Sequence, residues 1–144
     1  MACPYFFPFE RIENSGFTVP PRLPLGDAYS GECRADATAH TPAEALLGRA
    51  CNGGYGRAVC DRFPIDACGD AVRFHLSGSE GRTLRVQYVI EKDCWPATHG
   101  VLTYCESEGR FMDLHANAVL QRQAEAFVES YLRRLQGSTL SYGG

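Results

Sequence analysis

Four of the seven cysteines, Cys3, Cys33, Cys51 and Cys60, fall within the first 64 residues, a stretch with little apolar periodicity. Five of the eight prolines, Pro4, Pro8, Pro20, Pro21 and Pro24, lie within the first 40. Proline fixes φ and removes a backbone donor, so long helices and central strands are excluded there. A segment that cannot bury an apolar face of its own needs a cross-link or a metal to order it.

The residues around those thiols suggest which. Glycines (Gly31, Gly53, Gly54, Gly56), aromatic rings (Tyr5, Phe6, Phe7, Tyr55, Phe63) and arginines (Arg34, Arg57, Arg62) alternate with the cysteines. Glycine permits close backbone approach, rings exclude water, and guanidinium groups offset the negative charge of a thiolate-bound cluster. The expected centre is therefore a 4Fe-4S cluster held by Cys3, Cys33, Cys51 and Cys60, in a small iron–sulfur protein that passes electrons to an unidentified redox partner protein. The gaps of 29, 17 and 8 residues between the four match neither the bacterial nor the plant-type ferredoxin run. Cys68 is a substitute for any one of them.

Zinc is the alternative, as a structural staple in a binding or interaction module without redox chemistry, although no closely spaced Cys knuckle is present. Buried reduced cysteines and disulfides are the remaining readings. Cys105 reads as a strand residue in the core and Cys94 as a loop thiol beside Trp95-Pro96. Neither His40, His75, His99 nor His115 has a helical metal-site spacing; His40 or His99 remains a substitute ligand for a Cys₃His site. No P-loop, dinucleotide fingerprint, nucleophile elbow or paired carboxylate spacing occurs, so a catalytic role of its own is not favoured.

The 144 residues, 44% hydrophobic and 22% charged, suffice for one ordinary core. A net charge of −3 gives no overall attraction to nucleic acid or anionic membrane. The start Met1-Ala2-Cys3-Pro4 does not read as a secretory leader, and no apolar run approaches a membrane span. A cytoplasmic, reducing location follows as the expectation, and in such a space cysteines serve as ligands more often than as disulfides.

Thr41-Pro42-Ala43-Glu44 has the pattern of a helix start, predicting a short helix from Pro42 to Cys51. Period-two alternation of Val72, Phe74 and Leu76, then of Leu84, Val86, Tyr88 and Ile90, predicts two strands around a Ser77–Gly81 turn. Gly100–Cys105 follows as a third strand after a Lys92–Pro96 loop. Leu120, Ala124, Phe127, Tyr131 and Leu135 recur at helical steps, predicting a long amphipathic helix that Gly137 ends. The expected fold is α+β: a loop-rich N-terminal cysteine arm, a three-stranded antiparallel meander and a long C-terminal amphipathic helix. As one domain it divides into a metal-binding arm (1–70), a sheet and helix core (71–136) and a flexible tail (137–144).

Overall fold

A computed structural model describes residues 2–11, 29–35, 38–43, 46–52, 60, 63–64 and 69–143. Two antiparallel sheets and one long helix make up the fold. The first sheet pairs β1 (Phe6–Arg11) with β2 (Tyr29–Cys33). The second runs in the order β3 (Ala71–Glu80), β4 (Thr83–Lys92), β5 (Trp95–Cys105), β6 (Arg110–Phe111). A π-helical turn spans Leu47–Cys51, and the C-terminal helix α1 spans Ala118–Gly143.

The period-two pattern places Val72 and Phe74 of β3 with Leu84 and Val86 of β4 in the core, while Arg73, His75 and Arg85 face outward. Gly81, at φ 61°, turns β3 into β4. Gly100 of β5 leaves room for a ring from the next strand, since a Cβ there would lie 2.5 Å from the Tyr88 hydroxyl. Asn117 caps α1, its side-chain oxygen accepting from Val119 N at 2.9 Å and Leu120 N at 3.3 Å.

Helix α1 seats on the first sheet as well as on the second. Arg122 donates to Pro8 O and Phe9 O, each at 2.8 Å, and Phe127 packs against the Phe74 ring of β3 with centroids 5.7 Å apart. Ala124 and Ala126, small and fully buried, let the helix approach closely. One apolar cluster therefore runs from Ala2, Cys3, Phe6 and Tyr29 through Val72, Val86 and Leu102 to Leu120 and Val128.

This architecture corrects the expected fold in several respects. The meander has four strands, because Arg110–Phe111 adds a two-residue edge strand too short to leave a periodic signature. The N-terminal arm contributes a sheet of its own: a two-stranded sheet has only edges, and Pro8 sits where the β1–β2 register shifts between Pro8 and Glu10. The expected Ser77–Gly81 turn is strand up to Glu80: a bulge between Leu76 and Gly78 absorbs Ser77, and Gly78 and Ser79 pair with Arg85 and Leu84. The expected Lys92–Pro96 loop is a two-residue turn at Asp93 and Cys94, at φ 53° and 66°.

The short helix shrinks as well. Thr41, Pro42 and Ala43 precede it, Leu46 N and Leu47 N both reach back to Ala43 O, and five π-helical residues end at Cys51. α1 begins at Ala118 and runs past Gly137 to Gly143, so the helix continues through residues expected to form a flexible tail. Among the described residues no helix is long and apolar enough to cross a membrane.

Candidate metal centre

Each of the four N-terminal cysteines is positioned by a different local device. Ala2 exchanges two 2.7 Å backbone bonds with Val72, fixing the start of the chain to the edge of β3. Pro4 then turns the chain, with Phe6 N bonding Cys3 O at 3.1 Å. Gln123 of α1 supports the turn from beneath, its Nε2 donating to Cys3 O and Phe6 O at 2.7 Å each. Cys3 N in turn donates to Cys51 O at 3.0 Å, a direct backbone link between two of the four cysteines.

Cys33 ends β2 opposite Phe6, and on its other side it exchanges backbone bonds of 2.8 and 3.1 Å with His40. Gly31 is required earlier in β2 for packing, since a Cβ there would lie 2.2 Å from Phe7 O and 2.8 Å from the Phe6 ring. Cys51 closes the π-helical turn, and the next residue anchors it. The Asn52 side chain accepts from Tyr29 N at 3.0 Å and donates to Tyr29 O at 3.0 Å and Leu47 O at 2.9 Å, pairing with β2 as a strand would. Cys60 is half-buried and accepts Phe63 N at 3.3 Å through its carbonyl. The buried Phe63 meets Tyr5 edge-on, centroids 5.7 Å apart.

All four cysteines line one apolar cavity, together with Tyr5, Phe6, Ala35, Ala50 and Phe63. Among the described residues no Asp, Glu, Lys, Arg or His side chain lines it. Burial pushes the Cys3 thiol up to about 12; the backbone amides of Tyr5 and Phe6 oppose the rise, and Cys33 and Cys60 add to it. Burial likewise pushes Cys51 up to about 12, reinforced by Cys3, Cys33 and Cys60. The four sulfurs thus sense one another, and the two buried ones are neutral thiols unless a metal displaces their protons.

The space between them is tight. The enclosed interior measures about 20 Å³, close to the room for a single water. Among the described residues no three Cys, His, Asp or Glu side chains stand close enough to hold one metal ion. Tetrahedral zinc at about 2.3 Å from each sulfur draws the sulfurs to within about 3.8 Å of one another. A cluster assigns each thiolate to a different iron and leaves the sulfurs farther apart, but its bulk requires side chains lining this cavity to draw back.

The other expected contributors are distributed differently. Cys94 is exposed at the β4–β5 turn, and Cys105 ends β5 with its sulfur 3.1 Å from Ser107 Oγ. Cys68, Arg57, Arg62, Gly53, Gly54, Tyr55 and Gly56 lie outside the described residues. The Arg34 guanidinium stacks on Phe7 at 3.6 Å and bonds Glu32 at 2.7 Å, so neither Arg34 nor Phe7 joins the lining. His40 touches the centre through its backbone, whereas His75 and His99 are exposed on the second sheet.

Sequence reasoning missed Gln123, Asn52 and Tyr29. Gln123 did carry a signal: it falls three residues after Leu120 on the apolar stripe of α1, where a fully buried amide implies a fixed partner. A larger open groove of about 690 Å³ lies between β6 and α1. Charged residues at its margin already pair, Arg110 with Glu108 at 3.3 Å and Glu129 with Arg122 at 3.2 Å, and it holds no cysteine. Compared with known proteins, the chain matches no family model, no curated protein and no solved structure.

Proposed function

We propose that the chain is a small iron–sulfur protein of the reducing cytoplasm, in which Cys3, Cys33, Cys51 and Cys60 hold a 4Fe-4S cluster that exchanges single electrons with a partner protein. The observation that carries this reading is the convergence of four cysteines, distant in sequence, on one apolar enclosure, while Cys94 and Cys105 belong to the β4–β5 turn and the end of β5. Thiolate ligands in a water-poor shell are what such a cluster needs, and it supplies one-electron chemistry. Cys3 and Cys51 form the buried side, and Cys33 and Cys60, half-exposed, the side nearer solvent.

A second reading has a specific observation in its favour. The 20 Å³ interior suits a small occupant better than a cluster, as in a module whose loops are stapled by zinc without redox chemistry. Iron, acid-labile sulfide and zinc analysis of anaerobically purified protein separates the two. Iron and sulfide in equal amounts, a brown colour bleached by dithionite, and loss of both on serine replacement at any of the four cysteines are expected. Zinc without sulfide, or full cluster retention in Cys3→Ser and Cys33→Ser, overturns the first reading.

A further inference from the structure

We propose that Cys3 and Cys51 form a reversible disulfide in the metal-free chain, and that this oxidised state shuts the cavity against metal. Among the described residues they are the one pair of the four cysteines that a backbone hydrogen bond joins, Cys3 N to Cys51 O at 3.0 Å. A pairing of that kind sets the Cα atoms about 5.5 Å apart, inside the span of about 4.4–6.8 Å that a disulfide bridges. Both side chains border the same cavity, so the two sulfurs turn toward a common space. Both are buried free thiols.

Their neighbours already hold them in place. Ala2 is bonded to Val72 on one side of the pair, and Asn52 to Tyr29 on the other. Joining residues that the fold has ordered costs little further freedom. The space between them favours the cross-link as well. The interior is about 20 Å³, and a sulfur–sulfur bond of about 2.05 Å draws the two atoms together without asking for more room, whereas a cluster needs the lining to draw back. The product is uncharged and apolar, like the residues around it.

The electrons pass to a low-molecular-weight disulfide, of which glutathione disulfide is the type. Thiols buried in apolar surroundings react slowly, so a half-exposed one, Cys33 or Cys60, opens the sequence. Its thiolate attacks glutathione disulfide, forming a mixed disulfide and releasing one glutathione. Cys51 then attacks the entry cysteine's sulfur and displaces the second glutathione. Cys3 attacks the Cys51 sulfur and returns the entry cysteine as a thiol. In sum, the thiols of Cys3 and Cys51 give up two electrons and two protons, and glutathione disulfide takes them up to become two glutathiones. Cys33 and Cys60 are then the only thiols left of the four, too few for tetrahedral zinc or a four-thiolate cluster. This bar on loading rests on the four-cysteine centre proposed above; the cross-link itself does not.

The test uses the full-length, metal-free chain carrying Cys94→Ser and Cys105→Ser, which remove thiols outside the cavity. It is equilibrated with glutathione and glutathione disulfide, quenched by alkylation and digested with trypsin without reduction. Cleavage after Arg11, Arg22, Arg34, Arg49, Arg57 and Arg62 places Cys3, Cys33, Cys51 and Cys60 on separate peptides. The peptide ending at Arg11 should be found joined to the one ending at Arg57, as the main cross-link within one chain. Cys33→Ser and Cys60→Ser should keep that cross-link. Iron and sulfide uptake by the oxidised chain should fall about tenfold or more and return on adding dithiothreitol. No cross-link within the chain, or a main one joining any other pair, overturns the proposal. Equal uptake by oxidised and reduced chains overturns the bar on loading. The expected cross-link in a chain that takes up no iron in either state upholds the pairing and overturns the cluster reading instead.

Discussion

Gln123 holds a position that an amphipathic helix ordinarily gives to leucine. It is fully buried, and its amide donates to two carbonyls of the Cys3 turn. Gln123→Leu should therefore destabilise the metal-free chain by about 1–3 kcal/mol, the cost of leaving buried acceptors unmet, measured as a lowered urea midpoint. The two raised thiols give a second residue-scale prediction. Cys3 and Cys51 keep their protons in the folded chain up to about 12, against an ordinary value of 9.0. Between those values the unfolded chain binds fewer protons, so stability is full below about 9 and falls as pH rises, by about 1.4 kcal/mol per pH unit for each thiol. Urea titrations of the metal-free protein across that window should show the decline, and the Cys3→Ala, Cys51→Ala double variant should lose most of it; an equal slope in that variant would place the two thiols in water. The cysteines themselves were legible in the sequence because thiol chemistry is written in residue type. Asn52 was not, because an amide has no marker that distinguishes a buried hydrogen-bonding anchor from a surface side chain; Gln123 showed only through its place on the apolar stripe of α1.

At the scale of elements, the turn between β4 and β5 forces Cys94 to φ 66°. A two-residue turn with both residues left-handed favours glycine in the second place. Cys94→Gly should raise stability by about 0.5–1 kcal/mol and leave any metal content unchanged; a lowered melting temperature would mean the thiol has a structural role at the turn. Helix α1 makes a different point. Tyr29 OH donates to Ala126 O at 2.9 Å and pairs with Ser130 Oγ at 2.5 Å, so the helix and β2 share buried polar contacts. Tyr29→Phe and Ser130→Ala should each cost about 1 kcal/mol and should couple in a double-mutant cycle rather than add. Periodicity revealed β3, β4 and α1 because each repeats long enough to show its buried face. It could not reveal β1, where Pro8 and a bulge break the alternation, nor β6, which has two residues. A single glycine does not end the C-terminal helix, which runs through Gly137 to Gly143.

For the molecule as a whole, one apolar cluster joins the arm to the sheet and helix: it includes Cys3, Cys51 and Phe63 with Leu84, Leu102 and Leu120. On the proposed reading, removing the metal should reduce hydrogen-exchange protection in β1, β2 and the Leu120–Ser130 stretch of α1 together, while β3 and β4, held by their own ladder, retain most of theirs. Protection lost only before residue 64 would show that the arm orders separately from the sheet and helix. The bond from Gln123 to the Cys3 carbonyl spans 120 residues of chain. Translation delivers Cys3 early and its helical support late, so the turn at Cys3 waits for a donor made more than a hundred residues afterwards. Non-local closure of this kind is slow. Until α1 is made, the carbonyls of Cys3 and Phe6 lack the donor that later fixes them, so the order of the first turn is settled by the last element to appear.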